Sequence, residues 1–287
     1  MIYIQTDSND PYFNQAFEEY VFEHSSLEED ILLLWINDPC LVCGRFQNIF
    51  QEVNVPEAIR QNIPVIRRNT GGGTVYHDRG NLNYTLIKSR KSDAPLDYDI
   101  FLEPVIEALR EIGVPACKRN VCDIAIADRK ISGSAQSVKS DRVLHHGTLL
   151  FDADLGNLHT LLTPVPGKMV SKAVRSVPSP VTNIKEHFTG QKQIDIGTFR
   201  EMFREALMGR KGLVSSPDPQ TVYQAELLSR EKYRTWEWNI GKGPKFTFYP
   251  ENTDISLCVE RGIVVQCNKG SFIGLPADRV IKEISER

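Results

Sequence analysis

Apolar residues recur along this chain with two periods, and the changes of period mark its elements. Phe13, Ala16, Phe17, Tyr20 and Val21 share one face at helical spacing, behind Asp10-Pro11, a capping residue followed by proline at the first helical position. Ile31 to Trp35 and Leu41 to Cys43 are short unbroken apolar runs separated by Asp38-Pro39, and they predict two buried strands. Val55 to Gln61 predicts a brief helix. The stretch Val65 to Ile87, VIRRNTGGGTVYHDRGNLNYTLI, reads as strand Val65 to Arg68, a polar turn, three glycines, strand Thr74 to His77, a turn at Arg79-Gly80, and an alternating strand from Leu82.

Leu102, Val105, Ile106, Leu109 and Ile112 predict an amphipathic helix closed by Gly113 and Pro115, with Pro104 in its first turn or kinking it. Cys122 to Ala127, Lys130 to Gln136 and Val143 to Phe151 alternate as three strands of a meander, the first pair turned at Asp128-Arg129. Asp154 to Leu162 predicts a short helix. Pro164 to Asn183, rich in proline, glycine and basic residues, follows neither period and reads as a long loop, functional or disordered. Phe199 to Leu207 is helical, with Thr198 as its cap. Ile255 to Cys267 reads as a hairpin turned at Arg261-Gly262, and Pro276 opens a terminal helix.

Strands dominate the middle, helices flank them, and no regular βαβ repeat appears, which predicts an α+β fold built on a mixed sheet. Lys211 to Pro219 reads as the main boundary zone. The expected organisation is one domain over 1–240 and a short α+β accessory segment over 241–287.

With 287 residues and a net charge of −3, the chain has ample core-forming content and no clustered basic footprint, so nucleic acid is not an expected partner. The N-terminus lacks a basic and apolar leader, and no apolar run reaches membrane-spanning length, so the expected location is cytoplasmic, without membrane association. Cys40 and Cys43 form a lone C-x-x-C without a second ligand pair and read as buried small hydrophobes rather than a zinc site.

Candidate chemistry concentrates at three places. Gly71, Gly72 and Gly73 permit positive φ and close backbone approach, so their N–H groups and those of Thr74, Val75 and Tyr76 could converge on an anion, with Arg68 the arginine nearer the turn; a glycine-rich hairpin is the alternative. No Gly-Lys-Ser/Thr follows, which excludes a P-loop. In Lys130-Ile131-Ser132-Gly133-Ser134-Ala135, strand alternation puts Lys130, Ser132 and Ser134 on one face, and the small residues leave room for a ligand beside the lysine. Asp123 is placed to orient an amine, hold a metal or pair with Lys130. His145 and His146 must point to opposite faces and cannot chelate one metal together.

Five ordered motifs between Asp10 and Pro244 resemble those of the lipoate-protein ligase A family: Gly44-Arg45-Phe46-Gln47-Asn48, Arg67 to Asn81, Lys130 to Ala135, His145 to Leu150, and Trp236 to Pro244. The resemblance implies a biotinyl/lipoyl protein ligase-like catalytic domain. It implies that ATP and magnesium activate lipoate to lipoyl-AMP and that the acyl group passes to a lysine of a lipoyl domain. By the same resemblance ATP would be held by Arg68, Gly71, Gly72, Gly73, Thr74, Val75, Tyr76, Lys130, Lys172, Arg175 and Asn183. Lipoate would be held by Arg45, Gly72, His77, Lys130, Gly133, Ala135 and His146; Lys130 and Asp123 would be catalytic, and no metal ligand is assigned. Octanoate is the alternative acid. The acceptors implied are lipoyl domains of 2-oxoacid dehydrogenase complexes or the glycine cleavage H protein, and a separate polypeptide could replace a full accessory domain. Where the family reads S-V-R-S-R-V-T-N, this chain has Ser176-Val177-Pro178-Ser179-Pro180-Val181-Thr182-Asn183. Two readings remain beside the ligase: a thiol-dependent octanoyl or lipoyl transferase of the same fold, disfavoured because no cysteine lies between Cys122 and Cys258, and a non-catalytic lipoate or adenylate carrier.

Overall fold

The computed structural model describes residues 1–25, 28–90, 97–139, 141–189, 194–209 and 212–286. Its strands are β1 (Ile2–Gln5), β2 (Ile31–Trp35), β3 (Cys40–Cys43), β4 (Val65–Arg67), β5 (Val75–His77), β6 (Asn81–Ser89), β7 (Cys117–Lys118), β8 (Asp123–Ile126), β9 (Arg129–Lys139), β10 (Arg142–Leu150), β11 (Gly167–Ser171), β12 (Leu213–Ser215), β13 (Phe246–Pro250), β14 (Leu257–Glu260) and β15 (Ile263–Cys267). The helices are α1 (Pro11–His24), α2 (Ile49–Glu52), α3 (Val55–Arg60), α4 (Asp99–Glu111), α5 (Leu155–Leu161), α6 (Ile196–Met208), α7 (Pro219–Leu228) and α8 (Ala277–Ser285). The α+β class is as expected. Contacts divide the chain into two compact units: Met1–Asp38, His77–Leu155 and Pro178–Leu228 form one, and Pro39–Tyr76, Gly156–Val177 and Ser229–Arg287 the other.

The first unit is a mixed eight-stranded sheet in the order β12-β1-β2-β6-β10-β9-β8-β7. Ile31, Leu33 and Trp35 of β2 pack with Phe13, Phe17 and Val21 of α1, while Leu32 and Leu34 join a core with residues of α4 and α6. Both faces of the strand are covered, which is why its sequence is apolar throughout. Asp10 caps α1, its carboxylate accepting from the Tyr12 N–H at 3.0 Å. The cap of α6 is Asp195 rather than Thr198: the Asp195 carboxylate accepts from the Thr198 N–H at 2.7 Å, so the capping residue stands three positions earlier than expected. Pro104 lies in the second turn of α4. Of the boundary zone expected over Lys211 to Pro219, Lys211 lies outside the described residues and Leu213–Ser215 pairs in parallel with β1 as the sheet edge.

In the second unit β3 stands between β4 and β5, parallel to β4, with Cys43 opposite Arg67. The two strands flanking the glycines therefore do not pair with each other, and the hairpin alternative is corrected: the glycine stretch is a crossover past β3. A four-stranded sheet, β11-β13-β14-β15, completes the unit. Its edge strand β11 lies inside the stretch expected to lack regular structure, pairing Met169 with Phe248. Lys168 and Val170 are exposed, so no buried alternation announced it.

The β14–β15 hairpin turns through Arg261 and Gly262, both at positive φ, as the sequence predicted. Phe246, Phe248, Leu257, Val259, Val264, Val280, Ile281 and Ile284 share one core with Leu41, Ile49, Phe50, Val55 and Tyr76. Residues after 240 thus have no separate core, and the compact units do not divide at 240/241. Cys40 and Cys43 are both buried, as read from the sequence. No helix among the described residues is long and apolar enough to cross a membrane.

Candidate functional site

In the first unit the register of β8 on β9 slips: Ile124 pairs with Ser132 but Ala125 pairs with Lys130, leaving Ile131 as a bulge. Ile131 and Ser132 are consequently both buried, and the expected alternation fails here. The Lys130 side chain folds along Gly133, where a Cβ would stand 2.7 Å from Nζ. This brings Lys130 Nζ to 2.7 Å from Asp123 Oδ1, with the lysine a quarter exposed and the aspartate nearly buried. Asn120 fixes the carboxylate by donating from Nδ2 to Asp123 Oδ2 at 2.7 Å, while its Oδ1 accepts from the N–H groups of Cys122 and Asp123. Val121 and Cys122 thus lie in a turn that the Asn120 side chain closes. On the other edge of β9 the Lys130 N–H donates to Pro180 C=O at 2.8 Å and the Thr182 N–H to Lys130 C=O at 3.1 Å. Pro180 needs no N–H of its own in that role. Burial raises the pKa of the adjacent Cys122 thiol, the opposite of what a nucleophilic cysteine needs.

The two histidines of β10 do face opposite sides. His145 is fully buried, stacked 5.0 Å from Phe101, and burial pushes its pKa down to about 3, so it is a neutral core residue. His146 Nδ1 lies 2.9 Å from Glu18 Oε1, and the Thr85 hydroxyl also donates to Glu18, at 2.5 Å. Thr85, His146 and the small Ala135 form one row across β6, β10 and β9. His77 Nδ1 accepts from Asn37 Nδ2 at 3.0 Å and meets the Trp35 ring edge-on. Asn183 turns both ends of its amide to Ala153, accepting from the N–H and donating to the C=O. Glu18, which the sequence motifs do not single out, joins His146 and Thr85 here. The available signal was Asn14 and Glu18, four residues apart beside the apolar stripe of α1 and both buried.

In the second unit Gly72 has φ +88, and its carbonyl oxygen lies where a Cβ on Gly44 would need to be, 2.0 Å away. A Cβ on Gly73 would sit 2.8 Å from Ser176 Oγ, whereas one on Gly71 would meet nothing within 4 Å. The Thr74 N–H donates to Ser176 Oγ at 3.1 Å and its hydroxyl to Gln47 Oε1 at 2.9 Å. Tyr76 is buried, its hydroxyl accepting from Asn157. Val75 is half-buried. Arg68, expected to stand at the mouth of the turn, is buried and holds the turn from within, donating to Val42 C=O, Thr70 Oγ1 and Gly71 C=O. Arg45, Lys172 and Arg175 are exposed.

The lipoyl protein ligase A/B catalytic-domain model matches residues 10–208, and the chain belongs to this family. It is 35% identical over 288 residues to lipoate-protein ligase LplJ of Bacillus subtilis, covering 96% of this chain and 86% of that protein. Lipoate-protein ligase 1 of Staphylococcus aureus is also 35% identical, with 93% and 83% covered. Among solved structures, a lipoate-protein ligase A bound with ATP is 26% identical with a TM-score of 0.67, over 83% of this chain and 97% of that one. A Thermoplasma acidophilum putative lipoate protein ligase with bound lipoic acid shares the fold at 23% identity and a TM-score of 0.68, over 83% and 98%.

Proposed function

We propose that this chain is an ATP-dependent lipoate-protein ligase. The lipoate carboxylate attacks the α-phosphate of ATP, giving lipoyl-AMP and pyrophosphate; a lysine amine of a lipoyl domain then attacks the acyl carbon, giving the amide and AMP. The observation that carries the reading is the Lys130–Asp123 pair: a quarter-exposed cation held against Gly133 by a nearly buried carboxylate. Lys130 stabilises charge on the oxygens between acyl and phosphoryl groups. Asp123 orients Lys130. The glycine turn fits the triphosphate, since Gly71 opens onto space and Gly72 holds a backbone other residues resist. Lys172, Arg175 and Asn183 are assigned to ATP, and Arg45, His77, Ala135 and His146 to lipoate.

Magnesium enters with the nucleotide. No group of three His, Cys, Asp or Glu side chains among the described residues could cage a metal, and magnesium is ordinarily held by one or two carboxylates, phosphates and water. The relatives support lipoate over octanoate, and the acceptors proposed are lipoyl domains of 2-oxoacid dehydrogenase complexes or the glycine cleavage H protein. The Thermoplasma acidophilum ligase is bi-partite. Here residues 241–287 contribute to the core of the second unit, which supports activity without a second polypeptide. The test is to incubate the purified chain with lipoate, ATP, magnesium and an apo lipoyl domain: mass increase by one lipoyl group supports the reading, and failure with all four present refutes it.

A further inference from the structure

β4 is an edge strand, and the outward N–H and C=O groups of such a strand need partners. At Arg67 two side chains supply them. Trp238 Nε1–H donates to Arg67 C=O at 2.7 Å, and the Arg67 N–H donates to Asn239 Oδ1 at 2.9 Å. Asn239 is itself fixed, its Nδ2 donating to the carbonyls of Tyr233 and Thr235 at 2.7 and 3.0 Å. Both belong to the Glu237–Gly241 π-helical turn, so for one residue this turn replaces a neighbouring strand.

The Arg67 side chain extends the linkage. It is fully buried, and Nη1 donates to the carbonyls of Gly44, Arg45 and Gln47 at 3.0, 3.1 and 2.8 Å. Three carbonyls can converge on one nitrogen only if residues 44–47 curl around it. The Gln47 side chain then accepts from the Gly44 N–H and the Thr74 hydroxyl and donates to Ser176 Oγ, which also receives the Thr74 N–H. A continuous path of hydrogen bonds therefore runs from Trp238 and Asn239 through Arg67 and the 44–47 loop to the end of the glycine turn.

We infer that Trp238 and Asn239 are positioning residues for nucleotide binding, acting through Arg67 on the glycine turn. The inference rests on reading that turn as the ATP cradle. It gives the Trp-x-Trp-Asn segment, far along the chain from the glycines, a part in adenylation rather than in acyl transfer.

The experiment titrates ATP calorimetrically into the full-length wild type and into Trp238→Phe, Asn239→Asp and Arg67→Lys, and measures lipoate-dependent ATP–pyrophosphate exchange on each. Trp238→Phe and Asn239→Asp each remove hydrogen bonds worth roughly three- to tenfold, so ATP affinity falls and the KM for ATP rises by that factor, while the KM for lipoate stays at the wild-type value. Arg67→Lys, which loses the Nε donation to Trp238 C=O and the planar guanidinium that sets Nη1 among the three carbonyls, weakens ATP at least as much. Lowered melting temperatures with both KM values unchanged would mark a merely structural role and overturn the inference. If Asn239→Asp does not fold, Trp238→Phe decides, because it deletes one donor from an otherwise retained aromatic side chain. A wild type that binds ATP without exchange would refute the ligase reading and leave the titration to judge this one; a wild type that does not bind ATP refutes both.

Discussion

Lys130 Nζ lies 2.7 Å from Asp123 Oδ1 because Gly133 leaves the lysine room to fold back along its own strand. Gly133→Ala would put a methyl group 2.7 Å from Nζ and 2.8 Å from Cε. The far end of a flexible side chain moves easily, so the fold should survive while the ion pair is lost. Adenylation should fall on the order of tenfold, read as the pyrophosphate-exchange rate beside an unchanged melting curve.

Lys130→Ala should go further. Removing a cation that acts on developing charge costs on the order of 100-fold in rate. Exchange at the wild-type rate in the folded variant would exclude Lys130 from the chemistry.

The glycine turn yields a pair of predictions. Gly72→Val forces a β-branched residue to φ +88, and ATP binding should be lost. Gly44→Ala should weaken ATP for a different reason, since its Cβ would lie 2.0 Å from the Gly72 carbonyl and push the turn out of shape. Calorimetry on folded protein checks both.

His145 predicts an acid limb. Burial pushes its pKa down to about 3 from an ordinary 6.5, so the folded state keeps it neutral while the unfolded chain takes up a proton. Its stabilising contribution is fully present above pH 6.5 and is lost progressively as pH falls from there towards 3. Urea midpoints measured from pH 7 to pH 4 should decline, and the decline should be shallower in His145→Phe.

Deleting residues 241–287 should unfold the second unit rather than trim it. The deletion removes Phe246, Phe248, Leu257, Val259, Val264 and Ile281 from the core shared with Ile49 and Phe50. At about 1.5–3 kcal/mol for each buried side chain the loss matches the whole stability of a typical domain. An insoluble or dye-binding product is expected on expression.

Most elements were legible because their periodicity is local: the α1 stripe, the β2 run and the Arg261-Gly262 turn each need only neighbouring residues to specify them. Strand β11 was not, since both Lys168 and Val170 are exposed and its pairing with β13 is decided by residues far along the chain. The Lys130–Asp123 pairing was anticipated, but its geometry was not, because a bulge at Ile131 reverses the face on which simple alternation would put the side chain. Arg68 misled for a related reason. Proximity to the turn was readable, whereas the three acceptors that draw its guanidinium inward come from Val42, Thr70 and Gly71 together. Glu18 beside His146 required the packing of α1 on the sheet.

The most direct test of the ligase assignment is pyrophosphate exchange on the purified chain: radiolabelled pyrophosphate, ATP and magnesium, with and without lipoate. Label should enter ATP only when lipoate is present, and in Lys130→Ala on the order of 100-fold more slowly. Lipoylation of an apo domain from an acylated carrier without any exchange would contradict it and return the chain to the transferase reading.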